Sequence, residues 1–330
     1  MNLEGHVRLP GLINAHDHLE FNLFPRLGSG PYRNATEWAF DVHHPERSPV
    51  REHLRVPKPV RLWWGGLKNL LSGVTTVCHH NAYAPAVFGL DFPVRVVRRV
   101  TWAHSLAFKP GPKAHRRAGW PFVIHCAEGI DSAARRELDA LDAKGALDSC
   151  TAVVHGVGLA RAGIELMRRR GAALIWCPTS NLGMFGRTIS RAVLQSGLPI
   201  ALGTDSALSA PVDLLDEFAV ARRFVPAGRA YAMITSIPRR ILRLPERHDD
   251  WIAIRVSTGA VALVVVAGRV RLISPDLARQ LPKSQRRSFQ LLHVEGREPV
   301  LVDADIAHLK RAAAKHLGSD LYLAGKKILS

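Results

Sequence analysis

The sequence predicts an α/β protein built from parallel β/α units. Two observations lead to this fold class. Between residues 120 and 205, strand-like and helix-like segments alternate at short and regular intervals. Strands such as "AALIW" (172–176) are apolar at every position, which is typical of strands covered by helices on both faces. Together these observations favour a barrel or a doubly wound sheet.

The regular part of the chain contains four predicted strands separated by three predicted helices. Apolar runs bounded by polar or helix-breaking residues predict strands at 121–128, 150–156, 172–180 and 199–206. Amphipathic patterns predict helices at 132–147, 160–171 and 191–197. We expect Gly171 to stop the second of these helices.

The first part of the chain fits the same plan but has one crowded region. "GLINAH" (11–16) and "VTTVCHH" (74–80) predict the first two strands, and "RLWWGGLKNLLSG" (61–73) predicts the helix between them. The third and fourth strands must both lie within 92–108, so we expect one helix there to be vestigial. Residues 19–60 are rich in Pro, Gly, His and Arg, and they predict an inserted loop that covers an active site.

Near its end the sequence changes character. Segment 251–274 is rich in β-branched residues and predicts the strands of a small β-domain, and 304–318 predicts a terminal helix. We therefore expect a β/α barrel domain over residues 9–245 and a smaller domain over residues 246–330. Residues 1–8 are expected to be the remnant of an N-terminal β-domain.

The composition is that of a globular protein with an unusual positive charge. The 330 residues are 47% hydrophobic, and the formal net charge is +17 at pH 7. Basic residues occur as scattered pairs such as Arg98-Arg99 and Arg222-Arg223, without a block of interleaved aromatics. We therefore expect no nucleic-acid partner. A basic nucleic-acid-binding protein on a non-catalytic relic barrel stays open as the alternative class.

The sequence contains no evident targeting or membrane segment. The chain start has no basic segment followed by an apolar run, and the apolar stretch at 259–268 is too short to span a bilayer. The four cysteines lie far apart without C-x-x-C spacing, which is typical of reduced thiols. We predict a cytoplasmic protein with no membrane partner, and a homodimer is left open.

Residues that bind metals or transfer protons follow the predicted strands at their C-terminal ends. Alternate residues of a strand share a face, so His16 and His18 can reach one point in space. Other strand ends carry His125, Glu128, His155 and Asp205. In a parallel barrel these ends meet at one mouth, where such proteins place their chemistry. The sequence therefore predicts a site for metal binding or proton transfer.

The motifs around these residues resemble those of a known family. The segments, in chain order, are "LPGLINAHDHL", "SGVTTV", "IHCAEG", "VVHGVGL", "CPTSNLGMFG" and "LGTDSALSAPVDLLDE". They resemble the amidohydrolase superfamily, in its deaminase and chlorohydrolase branch, over residues 9–217. The resemblance implies an α/β fold, namely a distorted (β/α)8 TIM-type barrel with a small and incomplete β-sandwich domain.

The resemblance also implies a metal cofactor. One divalent ion, Zn²⁺ or Fe²⁺, would be held by His16, His18, His125 and Asp205. The fourth strand shows no lysine of the kind that is carboxylated in two-metal relatives, which favours the mononuclear type. A zinc-like ion lowers the pKa of a bound water from about 16 toward 7, so that hydroxide is available at neutral pH.

The same resemblance implies roles for three residues in a reaction with a small-molecule substrate. Asp205 would take the proton of the water, His155 would orient the hydroxide or polarise the substrate, and Glu128 would protonate the ring nitrogen and the leaving group. We therefore predict a metal-dependent hydrolase that deaminates a nitrogen heterocycle. An amide or C–Cl hydrolase of the same superfamily is the alternative.

Other polar residues near the predicted mouth have less defined roles. Ser180 and Asn181 are expected to shape the loop after the seventh strand, and Ser209 is expected to touch the substrate. His79 and His80 could line the pocket or be structural. Ser209, Asn181 and His80 are therefore the candidates for substrate binding.

The sequence departs from the family pattern at its start. Family members begin with a series of β-strands, whereas Met1 lies nine residues before "PGLINAH". We expect an upstream extension that supplies these strands. Without it, C-terminal strands such as "ALVVVAGRV" (262–270) are expected to leave an unpaired apolar edge.

Overall fold

The computed structural model describes residues 1–107 and 116–329. The strands are β1 (His6–Pro10), β2 (Leu12–Asp17), β3 (Val74–His79), β4 (Arg95–Val96), β5 (Thr101–Ala103), β6 (Phe122–Cys126), β7 (Thr151–His155), β8 (Ala173–Trp176), β9 (Ile200–Leu202), β10 (Trp251–Arg255), β11 (Val261–Val266), β12 (Arg269–Ile273), β13 (Phe289–Val294), β14 (Val300–Asp303), β15 (Tyr322–Leu323) and β16 (Lys326–Leu329).

The helices are α1 (Ala35–Val42), α2 (Val50–Arg55), α3 (Lys58–Leu71), α4 (Ser132–Ala143), α5 (Arg161–Arg170), α6 (Pro178–Phe185), α7 (Arg191–Gln195), α8 (Leu214–Ala221), α9 (Ala227–Ala232), α10 (Ser236–Ile241), α11 (Pro275–Ala278), α12 (Lys283–Arg286) and α13 (Ile306–Leu317). A short 3-10 helix, Leu19–Phe21, follows β2.

Eight parallel strands, β2 to β9, form the barrel. Strands β2, β3 and β4 pair in one parallel sheet, and strands β5 to β9 pair in a second. A parallel bridge between Asp17 and Asp205 joins the end of β2 to the segment after β9. The predicted fold class, a distorted α/β barrel with a separate β-domain, is confirmed.

The helices between the later strands carry the apolar faces that their periodicity predicts. Helix α4 buries Ala134, Leu138 and Leu141. Its first turn is capped by Asp131, whose side chain accepts a hydrogen bond from the N–H of Ala134 at 2.9 Å. Helix α5 ends at Gly171, whose φ of 68° is left-handed and is adopted by glycine without strain. The predicted stop is therefore confirmed.

The region between β3 and β5 contains no helix. Residues 80–100, all of which the structure describes, form loops and the two-residue strand β4. We predicted one vestigial helix here, but neither the connection from β3 to β4 nor that from β4 to β5 contains one, and Phe88, Phe92 and Val94 of the first connection are buried in the core. Residue 108, the last of the predicted stretch, lies outside the described residues.

The segment after β8 is a helix and not the loop that we expected at Ser180 and Asn181. Helix α6 begins with Pro178. Proline is tolerated in the first turn of a helix because the backbone N–H that it lacks would have no partner within the helix there. The helix ends at Gly186, whose φ is 63°. Both residues are ordinary helix boundary signals, and the apolar run of β8 directly before them concealed the change of structure.

The remaining strands form one antiparallel sheet, in the order β1-β10-β11-β12-β14-β13-β16-β15. The pairing of β1 with β10 joins the residues that precede the barrel to those that follow it. Strand β11, expected at an unpaired apolar edge, pairs with β10 on one side and β12 on the other. That expectation is wrong, because neighbouring strands of this chain cover both of its edges.

Contacts on two sides hold the β-domain against the barrel. Asp213 caps α8 with its side chain and also accepts hydrogen bonds from Arg297 and, at 3.1 Å, from Lys326. Helix α13 packs against α2 and α3. The β-domain therefore supports α3, the helix that packs against the residues following β2.

Within residues 1–107 and 116–329, no helix has the length and apolar character needed to cross a membrane. The longest described helix, α3, has 14 residues, whereas a transmembrane helix needs about 20.

Candidate metal centre and active site

Four of the predicted site residues meet at the C-terminal ends of three barrel strands. The Nε2 atoms of His16 and His125 are 3.1 Å apart, and the Nε2 atoms of His18 and His125 are 3.5 Å apart. The Oδ1 atom of Asp205 lies 3.6 Å from Nε2 of His16 and 3.6 Å from Nε2 of His18. The structure therefore brings the predicted metal ligands together.

The spacing and chemistry of these donors fit a divalent metal ion. Ligand atoms at about 2.0–2.2 Å from one tetrahedral ion stand about 3.3–3.6 Å from each other. The distances of 3.1–3.6 Å in this cluster are close to that range. His155 lies beside the cluster, since ligand atoms of His16, His125, His155 and Asp205 all lie within 4.8 Å of one another.

Neighbouring groups turn two of the histidines so that Nε2 faces the centre. Nδ1 of His125 donates to the carbonyl oxygen of His104 at 2.6 Å, which leaves the lone pair on Nε2. Nδ2 of Asn81 lies 3.3 Å from Nδ1 of His18. A histidine that binds metal through Nε2 carries its proton on Nδ1, so with a metal bound the Asn81 amide would turn its oxygen toward Nδ1. Neither His104 nor Asn81 is among the site residues predicted from the sequence.

Burial sets the protonation states in the cluster. Burial lowers the pKa of His16 to about 4 and holds the pKa of His125 well below its usual value, because an imidazolium is poorly solvated there. Burial acts to raise the pKa of Asp205, but the hydrogen bond with His16 and the surrounding histidines outweigh it and lower this pKa well below its ordinary value. Neutral imidazoles and an ionised carboxylate are the forms that bind metal.

Glu128 lies next to the cluster, and its pKa is shifted in the opposite direction to that of Asp205. Its Oε1 is 3.3 Å from Nε2 of His155, and its side chain is 13% exposed. Burial, and then the negative charges of Asp205 and Glu137, raise the pKa of Glu128 well above its ordinary value. Two neighbouring carboxyl groups with pKa values shifted in opposite directions are typical of an acid and a base in one active site.

The second carboxylate oxygen of Asp205 is held by two serines. Oδ2 accepts hydrogen bonds from the hydroxyls of Ser180 at 2.7 Å and Ser209 at 2.5 Å. Ser209, which we expected to touch the substrate, is buried and bonded to this carboxylate. Its position supports a role in orienting Asp205.

Helix α6 places two side chains on the predicted catalytic residues. Oδ1 of Asn181 accepts a hydrogen bond from Nδ1 of His155 at 2.8 Å, which leaves Nε2 of His155 directed at Glu128. Ser180 of the same helix is bonded to Asp205. Asn181 was expected to bind substrate, but its oxygen contacts His155 and its side chain is buried.

A buried carboxyl group anchors the start of helix α6. Glu217 accepts hydrogen bonds from the N–H of Thr179 at 3.1 Å and from its hydroxyl at 2.9 Å. Burial outweighs these bonds and raises the pKa of Glu217 to about 8. The carboxyl group is therefore largely protonated at neutral pH.

We expect Glu217→Gln to make the free energy of unfolding less dependent on pH. With a folded pKa of about 8 against an ordinary value of 4.5, the folded state binds more protons over this range. The contribution of the Glu217 proton to the free energy of unfolding is therefore fully present below the ordinary pKa of 4.5, and it is lost as pH rises through the folded pKa of about 8. Glutamine has no charge and keeps an acceptor for Thr179. The melting temperature of the variant should rise relative to the wild type between about pH 5 and pH 8.

The matched control for this measurement is Glu165→Gln, at an exposed position of helix α5. Its melting temperature should follow that of the wild type at every pH. An offset between Glu217→Gln and the wild type that is the same at all pH values would contradict the assignment of a titrating carboxyl to Glu217.

The backbone is left-handed at three non-glycine residues next to these strand ends. The φ angles are 54° at Ala127, 74° at His155 and 58° at Asp205. Such angles are uncommon for residues with a Cβ and cluster at functional sites. A hydrogen bond of 2.7 Å from the N–H of Ala127 to Oε2 of Glu137 holds one of these turns.

The histidines that end β3 lie behind the cluster. His80 is fully buried, its ring centroid is 4.7 Å from that of His16 and 4.5 Å from that of His125, and its Nε2 lies 3.2 Å from the carbonyl oxygen of Ala103. His79 is paired with Glu20 at 3.6 Å. His80 was a candidate for substrate binding, but in the structure its ring packs against the rings of His16 and His125.

The insertion between β2 and α3 crosses beside the mouth. The N–H of Ala35 donates to the carbonyl oxygen of Glu128 at 3.0 Å, and the N–H of Tyr32 donates to the carbonyl oxygen of Met184 at 2.7 Å. The segment therefore contacts both the strand end that carries Glu128 and helix α6. The predicted insertion, residues 19–60, includes helices α1 and α2, so it is not a loop throughout.

Three imidazoles and a carboxylate meet at the mouth of this parallel barrel, and this donor set is typical of barrel proteins that bind a metal ion there. Residues 113–248 of this chain match the amidohydrolase family. The resemblance to the amidohydrolase superfamily predicted from the sequence is thereby confirmed.

One named relative is similar to this chain over part of its length. A 5-methylthioadenosine/S-adenosylhomocysteine deaminase from Natronomonas pharaonis is 28% identical over 219 residues, which cover 62% of this chain and 51% of that protein. The match thus spans about half of that relative.

Two solved structures share the fold. An adenosine deaminase from Xanthomonas campestris with bound zinc has a TM-score of 0.63 and 19% identity, with coverage of 95% of this chain and 85% of that one. An atrazine chlorohydrolase from Arthrobacter aurescens, complexed with zinc, has a TM-score of 0.68 and 15% identity, with coverage of 95% and 88%.

Proposed function

We propose that this protein is a metal-dependent hydrolase that removes an amino group from a nitrogen heterocycle. The metal is one zinc ion held by His16, His18, His125 and Asp205. The observation that carries the proposal is the approach of these four donors to one another beside Glu128, a carboxyl group whose pKa is raised. A metal-binding carboxylate and a protonated acid are the two functions that hydrolytic deamination requires.

The names of similar proteins support this reaction and a class of substrate. The Natronomonas pharaonis relative is named for deamination of 5-methylthioadenosine and S-adenosylhomocysteine, and the Xanthomonas campestris structure is of an adenosine deaminase. Each substrate named carries an adenine ring. We therefore propose a small molecule with an amino-substituted purine or a related ring as the substrate of this chain.

The side chains divide the proton transfers between them. A zinc ion held by these residues would supply a water whose pKa is lowered toward neutrality. Asp205 accepts a proton from the attacking water, and Glu128 donates its proton to the ring nitrogen next to the attacked carbon. The proton left on the attacking oxygen then passes through Glu128 to the amino group, which leaves as ammonia while the carbon becomes a carbonyl, and the proton held by Asp205 returns to Glu128. His155, held by Asn181, directs Nε2 toward Glu128, where it would orient the attacking oxygen.

Metal content tests the ligand set. The wild type purified with zinc is expected to hold about one ion per chain, and His16→Ala and His125→Ala are expected to hold little, because each removes one of four donors. The control is His43→Ala, at an exposed position of the insertion, which should keep the ion. Full zinc occupancy in both ligand variants would contradict the site.

The reaction is tested by product release from zinc-loaded protein. Adenine nucleosides, cytosines, pterins and amino- or chloro-substituted triazines are offered in turn, and both ammonia and chloride are measured. Ammonia release supports the proposal. Chloride release alone would favour the alternative, a C–Cl hydrolase. A protein that binds no zinc but binds DNA or RNA would favour the nucleic-acid-binding class.

A further inference from the structure

Asp17 is the last residue of β2, lies between His16 and His18 in the chain, and is fully buried. Its Oδ2 is 2.8 Å from Nζ of Lys68, and both side chains are at most 3% exposed. A buried ion pair of this kind takes two charges out of water, and apolar side chains of similar size would often stabilise a fold at least as well. Stability alone therefore gives no reason for charged groups at this point.

Polar side chains complete a network around the ion pair. Lys68 also donates to the hydroxyl of Thr204 at 2.9 Å. Asparagine amides at three positions donate to Asp17, at 3.2 Å from Asn14, 2.9 Å from Asn22 and 2.7 Å from Asn69. The amide of Asn14 further donates to Thr204 at 2.9 Å. All of these side chains are buried.

The network joins helix α3 to the two segments that carry His16, His18 and Asp205. Asp17 belongs to β2, Lys68 belongs to α3, and Thr204 directly precedes Asp205. Here β2 and the segment after β9 are joined by a single parallel bridge between Asp17 and Asp205. Backbone bonds at the same junction run from the N–H of Thr204 to the carbonyl oxygen of His16 at 2.9 Å, and from the N–H of His18 to that of Asp205 at 2.8 Å.

The ion pair also fixes the carboxylate that stands between the two metal-binding histidines. Asp17 adjoins His16 and His18 in the chain, and the alternation of a strand places its side chain on the opposite face from theirs. Its Oδ2 accepts from Lys68 and Asn69, and its Oδ1 accepts from Asn22. Both oxygens are thus engaged on the protein side of the centre.

We propose that Asp17 and Lys68 are positioning residues that set His16 and His18 against Asp205 for metal binding. The proposal rests on the metal site of the proposed function. Partners that orient metal ligands from behind usually alter metal affinity by about 10–100-fold when they are removed. A purely structural ion pair would alter the stability of the metal-free protein without this change in affinity.

The experiment compares Asp17→Asn, Lys68→Met and the double variant with the wild type. Zinc affinity is measured by competition with a chelator, and the melting temperature is measured on the metal-free protein. Each single variant leaves one buried charge unpaired, so the metal-free melting temperature is expected to fall. The double variant is expected to recover most of that loss while its zinc affinity stays about 10–100-fold weaker than that of the wild type.

A matched control tests a buried ion pair away from the barrel mouth. In the β-domain, Nη1 of Arg271 lies 2.8 Å from Oδ2 of Asp303, and the Arg271 side chain is 4% exposed. The double variant Arg271→Met with Asp303→Asn should bind zinc as the wild type does. The Co²⁺-substituted proteins add a spectroscopic readout, since visible absorption of Co²⁺ reports ligand geometry and should change only in the Asp17 and Lys68 variants.

A milder pair of variants tests the network if the ion-pair variants do not fold. Thr204→Val keeps the shape but removes the acceptor used by Lys68 and Asn14, and about tenfold weaker zinc binding is expected. Thr204→Ser keeps the hydroxyl and should restore the wild-type affinity. Wild-type zinc affinity and Co²⁺ spectra in Thr204→Val and in the folded double variant would overturn the positioning role. A wild type that binds no zinc would instead overturn the proposed function.

Discussion

Glu128→Gln is expected to keep the bound metal while turnover falls by about two to four orders of magnitude, the usual contribution of a general acid-base group. Glutamine has nearly the same shape but cannot transfer a proton. In the structure Glu128 lies 3.3 Å from Nε2 of His155, and burial raises its pKa well above the ordinary value, which favours the protonated form. Zinc content and ammonia release are measured on the same preparation.

The comparison that isolates this effect is with Glu165→Gln, an identical change at an exposed position on helix α5. That variant should retain both zinc and turnover. Loss of zinc from Glu128→Gln would make Glu128 a ligand, and ammonia release at the wild-type rate would remove it from the proton transfers.

The residues of the cluster could be found from the sequence because strand ends are a local signal. His16 and His18 follow the two-residue period of β2, and His125 and His155 end β6 and β7. Parallel strands in a barrel share one mouth, so residues far apart in the chain are expected to meet once the strands are identified. The meeting of these histidines with Asp205 needed no knowledge of long-range contacts.

The parts that sequence reasoning missed depend on contacts between distant segments. No local pattern pairs Asp17 with Lys68, or Glu217 with Thr179, because these partners lie on different elements and no periodicity links them. Helix α6 is a different case, since Pro178 and Gly186 bound it and both signals are visible in the sequence. The chain turns there from a fully apolar strand into a helix without an intervening polar loop.

The third and fourth strands lie within 92–108 as predicted, but their bounds could not be read from the sequence. β4 has two residues and β5 has three, which is too short for a two-residue period to be recognised. Their place in the barrel comes from pairing with β3 and β6, which is a property of the fold and not of these residues.

Asp205→Asn is expected to weaken zinc binding and, in protein fully loaded at high zinc concentration, to lower turnover by about two orders of magnitude or more. One carboxylate oxygen faces His16 and His18 at 3.6 Å, so the substitution removes a charged ligand from the cluster. The same group is the proposed acceptor of the proton from water, and an amide is not a base. The two losses are separated by measuring zinc affinity first and then turnover at saturating zinc.

The control for this variant is Ser209→Ala, which removes the hydrogen bond of 2.5 Å to Oδ2 of Asp205 but keeps the charge. Its zinc affinity and turnover should each fall by about tenfold at most, because Ser180 still donates to the same oxygen at 2.7 Å. If Asp205→Asn behaved like Ser209→Ala, the carboxylate would serve only to orient its neighbours. If Asp205→Asn lost zinc affinity but turned over normally when loaded, Asp205 would be a ligand and another group would have to accept the proton of the water.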